Sequence, residues 1–226
     1  MRSFCLSPSL LAADFSQLHD EISFFNNSQA DWLHLDIMDG HFVPNISFGF
    51  PVVAALRGLT AKVFDVHLMI SNPDAYLKSF KDAGADKLTV HYEACPHLVR
   101  TLQQIKELDM SPAVAVNPHT PVSLLKDIFP YVEMILIMSV NPGFGGQKFI
   151  PQTIDRVKEL RNLLDVSYPD IIIQIDGGVD LNNAASLIKA GADNLVAGTA
   201  VFKAANREGT VIKFYEMAEK IKNGQY

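Results

Sequence analysis

The chain has 226 residues, 48% of them hydrophobic and 19% charged, with a formal net charge of -6. That acidic balance argues against non-specific nucleic-acid binding, which needs a basic face to displace counterions. The longest apolar run, "MILIMSV" (134–140), is far below the ~20 residues a membrane span needs. The opening "MRSFCLSPSLLAADFSQ" also lacks the long apolar core of a signal peptide. A cytoplasmic protein with neither membrane nor nucleic-acid partners is expected. Cys5 and Cys95 show no metal-ligand or redox spacing and read as reduced, buried thiols.

Short β-rich runs alternate with helical patterns along the whole chain. The runs are "FCLSPS" (4–9), "DWLHLDIM" (31–38), "KVFDVHLM" (62–69), "DKLTVHY" (86–92), "PAVAVN" (112–117), "MILIMSV" (134–140), "IIIQID" (171–176) and "NLVAGT" (194–199). Their apolar continuity is that of strands buried on both faces. Helices are predicted between them, for example over "PDAYLKSFKDAG" (73–84) and "PQTIDRVKELRNLL" (151–164), each opening with proline, which suits a first helical turn. An internal echo, "AGADKLTVH" (83–91) and "AGADNLVAG" (190–198), has a looser third copy in "QADWLHLD" (29–36). The glycine lets the chain leave a helix through a left-handed turn and enter the next strand at once.

Eight such units predict an α/β protein, a single (β/α)8 TIM barrel spanning residues 1–226, with a doubly wound open sheet as the alternative. The polar residues favour the barrel. Ser9, His34, Asp36, His67, His91, Asn117, Asn141, Asp176 and Thr199 all fall at carboxyl ends of predicted strands, where barrel enzymes keep their active sites. Lys62 and Lys87 stand at strand starts instead, and no strand ends in lysine, which argues against a Schiff-base aldolase.

Side chains alternate along a strand, so His34, Asp36 and Met38 share one face. His67 and Met69 repeat the arrangement on the third strand, and Asp176 closes the seventh. Two imidazoles and two carboxylates converging at a barrel mouth suit one divalent ion of the zinc, iron, manganese or cobalt type better than calcium. Without a cation, adjacent carboxylates would repel each other. The parity argument does not reach Asp39, His41 and His91, which are candidates for the rim or for supporting the ligands.

Glycine gives a second signal: "NPGFGGQ" (141–147), "DGGV" (176–179) and "AGT" (197–199) follow strands six, seven and eight. Such loops let backbone N–H groups approach an anion, and the loops after the last two strands are a common phosphate seat in barrels. Met38, Met69 and Met138 end strands on the inward parity. They read equally as core filler and as a flexible apolar collar that keeps water from the metal.

Through "SPSLLAADF" (7–15), "HLDIMDGHFVPN" (34–45), "DVHLM" (65–69), "MSVNPGFGGQ" (138–147), "DGGV" (176–179) and "AGTAVF" (197–202), the sequence resembles the ribulose-phosphate 3-epimerases. The resemblance implies a (β/α)8 barrel that interconverts D-ribulose 5-phosphate and D-xylulose 5-phosphate in the pentose phosphate pathway. It implies a metal on His34, Asp36, His67 and Asp176, with Asp36 and Asp176 also the catalytic acid/base pair. Ser9 and His67 would touch the sugar, and the phosphate would fall to Gly143, Phe144, Gly145, Gly146, Gly177, Gly178, Gly198 and Thr199. Many relatives carry serine where this chain has Thr199, which keeps the hydroxyl and adds a methyl group. The expected partners are a phosphorylated ketopentose and further copies of the chain in a homo-oligomer. Two alternatives stand beside this reading: an epimerase for allulose 6-phosphate, and a metal-free phosphosugar-binding barrel.

Overall fold

The computed structural model describes residues 4–225. The eight apolar runs form parallel strands: β1 (Cys5–Ser7), β2 (Trp32–Met38), β3 (Val63–Met69), β4 (Lys87–His91), β5 (Ser111–Val116), β6 (Met134–Met138), β7 (Ile172–Asp176) and β8 (Asn194–Val196). They lie in one sheet in the order β1-β8-β7-β6-β5-β4-β3-β2. The ends of that sheet meet. Asp31 N–H donates to Leu6 O and His34 N–H to Pro8 O, each at 3.0 Å, and a single parallel bridge joins Ser9 to His34. The result is the barrel rather than the open doubly wound sheet.

Helices α1 (Leu18–Asn27), α2 (Phe50–Arg57), α3 (Leu77–Ala83), α4 (Leu98–Glu107), α5 (Thr153–Leu164), α6 (Ala184–Ala190), α7 (Thr199–Phe202) and α8 (Arg207–Lys222) surround the strands. Between β5 and β6 the covering element is a ten-residue 3-10 stretch, Val122–Tyr131, with Pro130 inside it. A proline there removes an N–H that an α-helix would use. The stretch predicted as one helix from residue 73 divides into a 3-10 turn, Pro73–Ala75, and α3. Strands β1, β4, β5, β6 and β8 stop short of the runs read from the sequence. At β8 the reason is Gly198, whose backbone (φ -87°, ψ -88°) is not extended. Thr199 therefore opens α7 instead of ending a strand.

Alternation along the strands divides the interior into two environments. Leu33, Leu35, Ile37, Phe64, Val66, Leu68, Ile173 and Ile175 belong to one large apolar cluster between sheet and helices. The opposite face points to the barrel axis, where the apolar residues form only two small groups, Ala115–Leu136–Met138–Val140 and Met38–Val43–Met69. Polar side chains fill much of the remainder: Ser7, His34, Asp65, His67, Thr89, His91, Gln174 and Asn194 are all fully buried. Barrel interiors are more often packed with branched apolar residues, so these polar side chains require partners.

The repeated "AGAD" acquires a structural meaning. Gly84 and Gly191 end α3 and α6 at φ +103° and +111°, the left-handed region that glycine reaches most cheaply. A Cβ at Gly84 would lie 2.5 Å from Arg57 Cδ, and one at Gly191 2.7 Å from Arg161 Cγ. Two residues on, Asp86 Oδ2 accepts from Arg57 Nη1 (3.0 Å) and Phe64 N–H (2.7 Å). Asp193 Oδ2 likewise accepts from Arg161 Nη2 (2.5 Å) and Ile173 N–H (2.9 Å). In the looser third copy, Asp31 Oδ2 accepts from Leu6 N–H at 3.1 Å.

Lys62, at the same end of the barrel, donates to the carbonyls of Phe25, Ser28 and Ala30 at 2.8 Å each. Both cysteines are free thiols; Cys95 is buried, but Cys5 is only partly so, on the first residue of an end strand. Burial pushes the Cys95 thiol up to about 12. Among the described residues, no helix is long and apolar enough to cross a membrane.

Candidate active site

Register fixes which side chains meet at the carboxyl end of the barrel. Strand β2 pairs with β3 so that His34 lies beside Asp65, Asp36 beside His67, and Met38 beside Met69. Across the mouth, β6 and β7 set Met138 beside Asp176. One ligand atom from each of His34, Asp36, His67 and Asp176 falls within 4.8 Å of the other three.

Asp36 is the centre of this cluster. Its Oδ1 stands 3.3 Å from both His34 Nε2 and His67 Nδ1, and its Oδ2 accepts from Ser9 Oγ at 2.6 Å. Asp176 Oδ2 lies 3.9 Å from His34 Nε2 and 3.7 Å from His67 Nδ1. Behind His34, Nδ1 meets Asp65 Oδ2 at 2.8 Å. Gln174 Nε2 also reaches Asp65 Oδ2, at 2.5 Å, and continues to Asn194 Oδ1 at 3.0 Å. Behind His67, Nε2 meets His91 Nε2 at 2.9 Å.

The two carboxyls are driven apart in acidity. Burial alone would raise Asp36, but His34 and His67 beside it hold it well below the usual carboxylate range. Burial, followed by the charge of Asp36, pushes Asp176 up to about 7. Burial also lowers His67, whereas on His34 Asp36 and Asp65 outweigh burial and raise it. A buried set with this much unbalanced negative charge fits a cation well. His34 Nε2 supplies the direct test: it is buried, faces both aspartates and has no hydrogen-bond partner. The donors present, two nitrogens and two carboxylate oxygens, match a divalent transition-metal site.

A cavity of about 300 Å³ opens beside the cluster. Ser9, Asp36, Asp176, Met38, Met69 and Met138 line it, and so do Gly143, Phe144, Gly145, Gly146, Gly177, Gly178, Gly198 and Thr199 among others. Asn45 Nδ2 donates to Gly143 O at 2.8 Å and ties the loop after β2 to the loop after β6. Asp39 and His41 are not part of it. Asp39 accepts from the N–H groups of Ser71 (2.7 Å), His41 (2.8 Å) and Phe42 (2.9 Å) and fastens the loop. His41 is an exposed rim residue.

Asp65, Gln174 and Asn194 were not among the candidates read from the sequence. Asp65 carried a usable signal, since it shares the inward parity of His67 and Met69 on β3. Gln174 stands two residues before Asp176 on β7 and carries the same signal.

The fold and mouth define a (β/α)8 barrel enzyme with a metal-compatible site beside a glycine-walled cavity. The crystal structure of KGPDC from Streptococcus mutans shares that architecture, with a TM-score of 0.71 over 97% of this chain and 99% of that one; at 14% identity the likeness is one of fold alone. Sequence comparison is more specific. The ribulose-phosphate 3 epimerase family matches residues 5–202. Ribulose-phosphate 3-epimerase from Bacillus subtilis (strain 168) is 47% identical over 207 residues, covering 91% of this chain and 95% of that protein. The enzyme of the same name from Synechocystis sp. is 48% identical over 207 residues, 91% and 90% of the two chains. The chain belongs to the ribulose-phosphate 3-epimerase family and is an isomerase of the epimerase kind.

Proposed function

We propose that this epimerase interconverts D-ribulose 5-phosphate and D-xylulose 5-phosphate, a step of the pentose phosphate pathway, with one divalent ion of zinc, iron, manganese or cobalt held by His34, Asp36, His67 and Asp176. The observation that carries the reading is the carboxyl pair: Asp36 and Asp176 come from strands two and seven, line one cavity, and belong to a His/Asp cluster whose ligand atoms lie within 4.8 Å of one another. Two carboxyls that reach one cavity from different strands can serve as base and acid.

Inversion at C3 of a 2-ketose removes a proton next to the carbonyl and returns one to the opposite face. In one direction Asp36 takes the C3 proton, the electron pair delocalises into an enediolate, and the carboxyl of Asp176 gives a proton to the other face of C3. The reverse direction exchanges the two roles. A bound divalent ion supplies Lewis-acid charge against the negative charge that grows on the sugar oxygens. Ser9 Oγ, which lines the same cavity, donates to Asp36 Oδ2 and steadies it. Met38, Met69 and Met138, all nearly fully buried, keep water from the carboxyl pair.

The glycine wall suits the phosphate end, because Gly146 (φ +70°) faces Thr199 with only Oγ1 at 3.8 Å from the position of a Cβ. Backbone can therefore approach an anion there without side-chain obstruction. The test is an assay on D-ribulose 5-phosphate and on allulose 6-phosphate, before chelation, after it, and after add-back of each metal. The reading expects preference for the pentulose, loss on chelation and recovery on add-back. Full activity of verified metal-free protein would contradict the metal, and preference for the six-carbon sugar would contradict the substrate.

A further inference from the structure

We infer that His91 and Glu93 are positioning residues which fix the tautomer of His67 and so decide which of its nitrogens faces the metal-compatible site. The inference rests on the metal reading above. His67 and His91 meet edge to edge, their planes inclined by 25°, with ring centroids 5.0 Å apart and Nε2 atoms 2.9 Å apart. Two imidazole nitrogens at that separation hold one proton between them, because two would collide and none would leave lone pair against lone pair. Each ring is fully buried, so water cannot mediate the contact.

Glu93 sets the direction. Its Oε2 lies 3.3 Å from His91 Nδ1, while Oε1 accepts from Asn117 N–H at 2.9 Å and from the Thr120 hydroxyl. An ionised carboxylate only accepts, so His91 carries its proton on Nδ1 and leaves Nε2 bare. His67 then donates through Nε2 and presents a bare Nδ1 toward Asp36 Oδ1 (3.3 Å) and Asp176 Oδ2 (3.7 Å). A cation held by the cluster would stand between the bare His67 Nδ1 and Asp36, whereas the opposite order of protons would place a bare His91 Nδ1 against the Glu93 carboxylate with no cation between them. His34 is oriented the other way round: Asp65 takes its Nδ1 and leaves Nε2 for the site. The two histidines thus face the cation position through different nitrogens. Partners that orient a metal-binding histidine in this way govern its ligand strength.

Glu93→Gln keeps an oxygen for Asn117 and Thr120 but turns an N–H₂ toward His91 Nδ1, opposing donor to donor. Side-chain ¹⁵N NMR of histidine-labelled protein reads the tautomers, and competition with a chromophoric chelator reads zinc affinity. Zinc-loaded wild-type protein should carry the His91 proton on Nδ1, and E93Q should bind zinc about 10- to 100-fold more weakly. A wild-type His91 protonated on Nε2, or an E93Q affinity equal to wild type, overturns the inference. If E93Q does not fold, the wild-type tautomer alone decides it. Failure of wild type to bind any divalent metal would overturn the metal reading and this inference with it, whereas a zinc-loaded protein whose His91 is protonated on Nε2 would overturn this inference alone.

Discussion

Asp65 shows how a single buried side chain can hold a site without touching substrate. It is fully buried, and its Oδ2 is the acceptor for both His34 Nδ1 and Gln174 Nε2. Removing an acceptor strands each buried donor at about 1–3 kcal/mol. Asp65→Ala should therefore destabilise the protein by on the order of 3 kcal/mol, read by urea unfolding of metal-free protein. Asp65→Asn, which retains an oxygen acceptor, should lose less. Equal, negligible losses would mean that water replaces the carboxyl in that layer. The four candidate ligands were legible in the sequence through the inward parity that His34, Asp36, His67 and Asp176 keep toward the carboxyl ends of their strands. Asp65 obeys the same parity and sits level with His34 on the neighbouring strand, but that pairing depends on the register between β2 and β3, which alternation along one strand does not reveal. The link from His67 through His91 to Glu93 was illegible for another reason: it depends on how neighbouring strands and the loop after β4 pack, which alternation along one strand cannot show.

At the scale of elements, the repeat proved to be a clasp of three parts, of which only one could be read in advance. Glycine after a helix announces a left-handed exit, and Gly84 and Gly191 make it. The arginine that closes over each glycine sits a whole unit earlier in the chain, 27 residues before Gly84 and 30 before Gly191, too far for a local motif to reveal. Gly84→Ala combines a disfavoured φ of +103° with a Cβ 2.5 Å from Arg57 Cδ. That arginine also holds the carbonyls of Thr60 and Lys62, so it cannot yield freely. A loss of about 1–3 kcal/mol is expected. Gly145→Ala, where nothing lies within 4 Å of a Cβ and φ is ordinary, should leave the unfolding midpoint unchanged. Thermal unfolding of the two variants side by side checks this, and equal midpoints would show that the clasp adapts. The run read at β6 went past the end of the strand because Val140 is still buried there, and hydrophobicity marks burial and not extended pairing.

The whole barrel brings Asp36 and Asp176, 140 residues apart in the chain, to one cavity from strands two and seven. The two carboxylates approach the axis from different sides, so the account assigns one to each face of the planar intermediate. Asparagine keeps the shape of aspartate but cannot take a proton. The decisive measurement is C3-proton exchange with heavy water, followed by mass spectrometry of both recovered pentulose phosphates, in Asp36→Asn and Asp176→Asn protein verified to retain metal. Each variant should lose epimerisation yet still exchange the C3 proton of one epimer, and the two should choose opposite epimers. Exchange of the same epimer by both, or inversion at the wild-type rate by either, would contradict the assignment of one aspartate to each face.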